Sequence, residues 1–440
     1  MIKTAIRLIF IFLLSFRTYA FEWPMYCGNP ERTSQSGIEL KNMKLAWKFS
    51  LGKHIWHYYK MTGVFSSSAV FAEINGIPMV FFGSYDHNIY SLNALTGKKL
   101  WEYSTGGPID TAPVIFHNGN KVCIIVESGD RTLYSINALD GKLIWQKEIF
   151  PWSFTVFNAK ATSPLLIRVD GSDYLFGTLY FSDAKAFRNK QTGVVFKADP
   201  KDGRIVWKKE LSKSFLYSPA ATKINGKYRL FITSEDGNTT CLEPVNGEVI
   251  WKKPFSMSIS SYPLIMDFKG RKILFFGSEF GPLEALDVSD GSNFWKYKLG
   301  FISRSPGAVS EDNSSLFVPN YDRFLYSFII NHKKPKLLWR FYTKKYIGSA
   351  PLSIRFKGEN AVLIPSMDNY LYLIDSKGKE LAKFSLGKRL WEYEKRGDTL
   401  WSSPSPIIVN GISGVVLPWY DGNVYCFFDH FPFTNNSIAL

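Results

Sequence analysis

The chain has 440 residues and a formal net charge of +15, and its four cysteines, Cys27, Cys123, Cys241 and Cys426, are widely scattered. That scatter excludes a vicinal disulfide and a Cys-x-x-Cys-His haem attachment site. Beyond the first twenty residues no apolar run is long enough to span a bilayer, which excludes a helical membrane span.

Residues 1–20 read as a signal peptide. Lys3 and Arg7 precede the apolar run Leu8 to Phe16, and Thr18-Tyr19-Ala20 supplies small residues at the cut. Cleavage is expected after Ala20. No cysteine follows that position directly, so the expectation is an exported protein, periplasmic or secreted, without a lipid anchor. Export makes nucleic acid an unsuitable partner for the basic charge.

Residues 21–44 form a lead-in, and residues 45–430 repeat one unit. In its clearest copy, Val80 to Phe82 leads through a turn at Asp86 into Ile89 to Leu92, and a turn at Thr96-Gly97 leads into Lys98 to Tyr103. Short β-branched and aromatic runs punctuated by Gly and Asp read as an antiparallel meander. A further strand precedes each copy, marked by small residues and proline, as in Thr111-Ala-Pro, Ser163-Pro, Ser218-Pro and Ser403-Pro. Small residues suit the strand nearest a crowded axis. A glycine is followed four residues later by tryptophan at Gly97/Trp101, Gly141/Trp145, Gly203/Trp207, Gly247/Trp251 and Gly291/Trp295. Successive repeat tryptophans through Trp339 are 44 residues apart, except for the 62 between Trp145 and Trp207. Four strands at that period predict a propeller blade.

Eight blades are expected. The seventh has Ala382 at the tryptophan position, and the eighth begins at Trp401 and stops after Gly422 to Phe428. Its missing strand lies in Leu45 to Phe49, so the chain ends join in one sheet and hide two edges. The predicted class is an all-β, eight-bladed propeller of four-stranded antiparallel blades, followed by a tail at 431–440. Trp47, Trp101, Trp145, Trp207, Trp251, Trp295 and Trp339 are read as structural rings packed between blades.

Tyr90-Ser-Leu-Asn-Ala-Leu-Thr-Gly-Lys-Lys-Leu-Trp101 resembles the pyrroloquinoline-quinone (PQQ)-like repeat of bacterial eight-bladed propellers. So does Trp23-Pro-Met-Tyr-Cys-Gly-Asn-Pro-Glu-Arg-Thr-Ser-Gln-Ser-Gly37, with Cys27 where arginine is usual. The resemblance implies the fold and leaves activity open, because the family holds quinoprotein dehydrogenases and non-enzymatic members such as BamB. The dehydrogenases are longer and set their cofactor against adjacent cysteines, which this chain lacks. No catalytic residue carries over.

Loops on a rigid scaffold concentrate binding sites. The long connections 51–64, 150–160 and 387–400, with an insertion at 180–192, are expected on one face. Their Trp56, His57, Tyr58, Tyr59, Trp152, Phe154, Trp391 and Tyr393 form either a partner or sugar-stacking surface or a small core for the loops themselves. His54 and His57 lack a third ligand nearby, and no metal site is assigned. The recurring Asp86, Asp130, Asp236, Asp322, Asp368 and Asp421 read as turn formers. Much of the basic charge is expected in the turns before the outer strands, as at Lys98-Lys99, Lys208-Lys209, Lys252-Lys253 and Lys333-Lys334. Lysines there guard sheet edges or attract a polyanion or anionic membrane face. Cys27 and Cys426 both fall near the closing blade, where a disulfide and buried free thiols are the two alternatives.

The expected function is therefore a non-enzymatic propeller, a monomeric ring that binds an envelope protein or glycan through its long-loop face without a cofactor. The alternative is a quinoprotein oxidoreductase using PQQ and calcium.

Overall fold

A computed structural model describes residues 21–51, 67–150, 156–183, 190–279, 281–305, 307–330, 334–387 and 402–430. Every element in it is a strand, and the strands form eight sheets. Blade 1 is typical: Val70–Ile74, Ile77–Gly83, Asn88–Asn93 and Lys99–Ser104 pair in order, inner edge to rim. Its second strand is buried from Met79 to Gly83 because neighbouring blades cover both faces. That double burial explains the continuous apolar runs, where a half-exposed sheet would alternate.

Blade 8 closes the ring as the sequence predicts. Lys44–Ser50 pairs antiparallel with Asn423–Phe428, and Trp47 lies opposite Cys426. At the inner edge, Ser403 N donates to Ser68 Oγ at 2.9 Å and Ser405 Oγ donates to Ala69 O at 2.7 Å, tying blade 8 to blade 1. The same bridge recurs elsewhere around the axis. Ala112 N donates to Ser163 Oγ at 2.9 Å, Ser163 N to Ser218 Oγ at 3.1 Å, and Ala350 N to Ser403 Oγ at 3.0 Å. The serines before the inner strands are therefore hydrogen-bonding bridges as well as small residues.

Each repeat tryptophan reaches into the next blade. Trp47, Trp101, Trp145, Trp207, Trp251 and Trp339 donate Nε1 to carbonyls there at 2.8 to 3.2 Å. Each ring also lies on that blade's turn glycine. A Cβ at Gly97 would stand 2.7 Å from Trp47, at Gly141 2.8 Å from Trp101, and at Gly378 2.7 Å from Trp339. Glycine and tryptophan recur together because one seam requires both. Trp295 is buried and packs 5.4 Å from the Phe275 ring; its following turn, 331–333, lies outside the described residues.

The lead-in fills the axis. Phe71, Ile115, Ala221, Ile265, Val309 and Ser353, at one register of the innermost strands, donate their amides to Trp23, Pro24, Pro30, Glu31, Thr33 and Ser34. Blade 3 is reached through Arg32, whose Nη2 lies 3.2 Å from both Ser163 O and Pro164 O. Gln35–Leu40 then runs parallel to Leu352–Phe356 of blade 7.

Blade 3 differs from the expectation of a loop and an insertion. Ser172–Asp183 and Lys190–Ala198 form one long hairpin, and Val156–Ala161 pairs with its upper part. Residues 156–161 are thus a strand where a connection was expected, because the lengthened hairpin offers them a free edge to pair with. Tyr180 and Thr192 likewise lie in strands, and the hairpin accounts for much of the 62-residue interval. All four cysteines are buried and free, so the structure takes the thiol alternative for Cys27 and Cys426.

Candidate functional site

Trp56, His57, Tyr58, Tyr59, Trp152, Phe154, Trp391 and Tyr393 lie outside the described residues, as do His54, Trp401, the signal segment and the tail. What is described of their face is its framework: the second-to-third-strand turns and the blade-to-blade connections. The two are stitched together by backbone bonds. Glu235 N donates to Phe215 O, Glu279 N to Ser258 O, Tyr321 N to Ile302 O, and Met367 N to Tyr346 O.

That stitching gathers a continuous run of side chains. From the blade 3 hairpin, Tyr180 meets Phe215 edge-on at 5.9 Å, and Phe215 meets Tyr217 at 5.0 Å. Tyr217 sits beside Arg304, Glu235 and Glu279. Arg304 Nη2 lies 3.8 Å from Glu279 Oε1, and its guanidinium stands 6.0 Å from the Tyr321 ring. Tyr321 in turn packs 4.5 Å from Tyr346. Met257 and Phe301, exposed at 37% and 39%, lie in the same set of connections. Rings that are partly open and held by their neighbours lose little entropy on binding, and aromatic and Arg side chains supply most interface energy.

Burial raises the Tyr217 hydroxyl above its ordinary range; Glu235 and Glu279 push it further and Arg304 opposes them. It therefore stays a neutral donor. The sequence reading missed this cluster. Its trace is the residue before each recurring Asp, which varies (Tyr85, Gly129, Glu235, Tyr321, Met367, Tyr420) while the turn around it stays constant.

The recurring aspartates stabilise turns. Asp86 Oδ1 accepts the Asn88 amide at 3.1 Å and Asp130 Oδ1 accepts the Thr132 amide at 3.0 Å. Their second oxygens accept the hydroxyls of Tyr90 and Tyr134, each at 2.6 Å. A carboxylate so occupied is poorly placed as a general base.

Two buried groups stand apart. Arg32 is fully buried, with Nη1 on Tyr26 O at 2.7 Å and Nε on Pro219 O at 3.0 Å. Glu127 is also fully buried, and the polar group that supports its carboxyl is the Thr162 backbone. Burial, followed by the charge of Asp110, raises its pKa well above the carboxylate range.

A calcium-held quinone needs several oxygen ligands converging on one point. Among the described residues no three His, Cys, Asp or Glu side chains converge in that way.

A family model described as outer membrane protein assembly factor BamB matches residues 44–151 and 191–268. Its gap coincides with the enlarged part of blade 3. No curated protein matches the sequence significantly. Among solved structures, the chain is similar to quinohemoprotein alcohol dehydrogenase from Comamonas testosteroni, with TM-score 0.66 and 13% identity over 94% of this chain and 82% of that one. It is similar to BamB from Moraxella catarrhalis, with TM-score 0.56 and 14% identity over 88% and 99% of the two chains. Sqt1 from Saccharomyces cerevisiae gives TM-score 0.61 and 10% identity, again over 88% and 99%. At these identities the likeness is one of fold. Among the described residues no helix is long and apolar enough to cross a membrane. The matched segments and the eight closed blades make the chain similar to the PQQ-like repeat proteins, and its fold is an eight-bladed β-propeller.

Proposed function

We propose that this chain is an exported, non-catalytic binding protein of the cell envelope that takes a protein or glycan partner on the face formed by its blade-to-blade connections. The observation that carries this reading is the run Tyr180, Phe215, Tyr217, Arg304, Tyr321 and Tyr346, which spans several blades and is stocked with residue types that anchor interfaces. The match to a family described by outer-membrane-protein assembly, and the signal-like first twenty residues, support the envelope setting.

A pull-down from native envelope tests it, using wild type beside two sets of variants. Trp56→Ala, Trp391→Ala and Tyr346→Ala should each weaken capture by about 2 kcal/mol, as hot-spot aromatics do. Lys98→Ala on the opposite, short-turn face should leave capture unchanged. The reverse pattern refutes the assigned face. A stoichiometric absorbance change on adding PQQ with calcium to purified protein would replace the binding reading with the oxidoreductase one.

A further inference from the structure

The rim cations are unevenly distributed. The outermost strands of blades 4, 5 and 6, Val249–Pro254, Asn293–Lys298 and Lys336–Tyr342, carry Lys252, Lys253, Lys296, Lys298, Lys336 and Arg340 and no acid. The outermost strands of blades 1, 2 and 7 each balance one base with one acid: Lys99 with Glu102, Lys147 with Glu148, Lys383 with Glu380. Blade 3 sets Glu210 beside Lys208 and Lys209, and blade 8 carries Lys44 and Lys48 without an acid but is separated from the arc by blade 7. All the arc cations except Lys253 are exposed. The acid set among them is Glu284, on the third strand of blade 5 and near Lys296 and Lys253. Burial raises its carboxyl pKa in spite of those lysines, which weakens it as a counter-charge.

Blade 6 also gives its cations a scaffold. The Arg340 guanidinium stands 4.6 Å over the Phe324 ring, and Tyr342 packs 5.3 Å from the same ring. Arg323 Nη1 donates to Tyr342 Oη at 3.4 Å. Among the described residues neither arginine is paired with a carboxylate. A guanidinium held by its flat face keeps its in-plane donors directed outward, the arrangement that suits a bidentate anion.

The apolar part of the rim is distributed differently. Leu100, Ile144, Val206, Ile250, Leu338 and Leu381 are exposed at one register in blades 1, 2, 3, 4, 6 and 7. Those side chains belong to the repeat as a whole, whereas blades 4, 5 and 6 are the run of adjacent blades whose outermost strands carry bases and no acid. At that register the arc exposes only Ile250 and Leu338, a narrow strip for insertion into a bilayer. A convex arc also meets a flat membrane over only part of its length, while a flexible chain can follow it.

We propose that the rim of blades 4 to 6 binds a linear polyanion carrying carboxylate, sulfate or phosphate groups. The surface is separate from the connection face, and the proposal stands independently of the partner proposed there.

Heparin serves as the probe, titrated at two salt concentrations against wild type, an arc variant (K296Q, K298Q, K336Q, R340Q) and a control with four charges removed from the short turns (K98Q, K142Q, K201Q, K227Q). All eight residues are exposed, so both variants should keep the wild-type circular dichroism spectrum. The arc variant should bind at least tenfold more weakly and the control less than twofold, with wild-type binding falling as salt rises. R340K alone should lose about threefold, because lysine keeps the charge and loses the stacked fork. Equal losses in arc and control variants would mean that net charge alone attracts the polymer, and the arc proposal fails. It fails equally if wild type ignores heparin, or binds vesicles of anionic lipid and not heparin.

Discussion

Around the rim, tryptophan meets glycine at one register of successive blades, and each contact resembles the last. Along the axis, residues 23–34 present successive carbonyls, and each carbonyl meets a different blade. The rim seams are local and redundant: losing one leaves two blades still held at their inner strands. The axial segment is singular, and its loss withdraws acceptors from most blades at once. Backbone geometry reflects the contrast. The seam uses glycines at positive φ, while the lead-in forces Cys27, Arg32 and Ser34 to φ of 56°, 61° and 52°, at about 1 kcal/mol or more each. A segment that accepts such strain gains it back through the bonds it makes to the blades.

The contrast can be broken most forcefully at closure. Deleting residues 44–49 strips blade 8 of its outer strand and the Trp47–Gly97 seam. The expected loss exceeds about 5 kcal/mol, comparable with the whole stability of many domains, so the cooperative thermal transition should collapse. A truncation that melts like the intact protein would overturn the closing role of this strand.

On the axis, Arg32→Met should cost about 3–5 kcal/mol in denaturant unfolding, because it leaves buried carbonyls at blades 3 and 4 and in the lead-in itself without a donor. On the rim, Trp251→Ala should cost about 3 kcal/mol, less than full burial would imply because the ring is only partly buried. If the rim change costs more than the axial one, the ranking of the two regions is wrong.

A glycine pair sharpens the seam itself. Gly141 and Gly76 have φ of +72° and +77°, but only Gly141 has a ring, Trp101, where a Cβ would go. Gly76→Ala should cost about 1 kcal/mol from backbone strain alone, and Gly141→Ala about 2 kcal/mol or more. Equal costs would show that the ring gives way freely.

The smallest effect concerns pH. Glu127 has a folded-state pKa raised by burial, so folding retains its proton. The stability this group supports is present in full below its unfolded value of about 4.5 and declines as pH rises through the folded value. Glu127→Gln should remove that decline and gain about 1 kcal/mol at pH 8, net of the amide's own desolvation. Parallel pH profiles for the two proteins would mean that the buried carboxyl ionises without penalty.

Much of this architecture was legible because the seam writes both partners into each copy of the repeat. Gly141 and Trp145 are four residues apart in sequence although they touch opposite neighbours, so their spacing repeats with the blades. The closing strand was legible for the same reason, as a displaced copy of the motif at Leu45 to Phe49. The axial role of the lead-in was not, since apart from those of Arg32 its bonds to the inner strands run largely through backbone carbonyls that no side chain encodes. The serine bridges were half legible: size pointed to the axis, but the hydroxyl's partner lies one blade away. In blade 3 the extra length was visible and its strand form was not, because Val156–Ala161 becomes a strand only by pairing with the hairpin that follows. The connection-face cluster was hidden for a related reason. Tyr217, Arg304, Tyr321 and Tyr346 come from separate repeats and meet only through the circular arrangement.

The central claim is that this propeller works by holding a partner on its connection face. Site-directed photocrosslinking tests it most directly, with benzoylphenylalanine placed at Tyr346, at Phe301 and, on the short-turn face, at Lys98, in protein returned to its native envelope. The account predicts one discrete adduct from Tyr346 and Phe301 and none from Lys98. An adduct from Lys98 alone would contradict it.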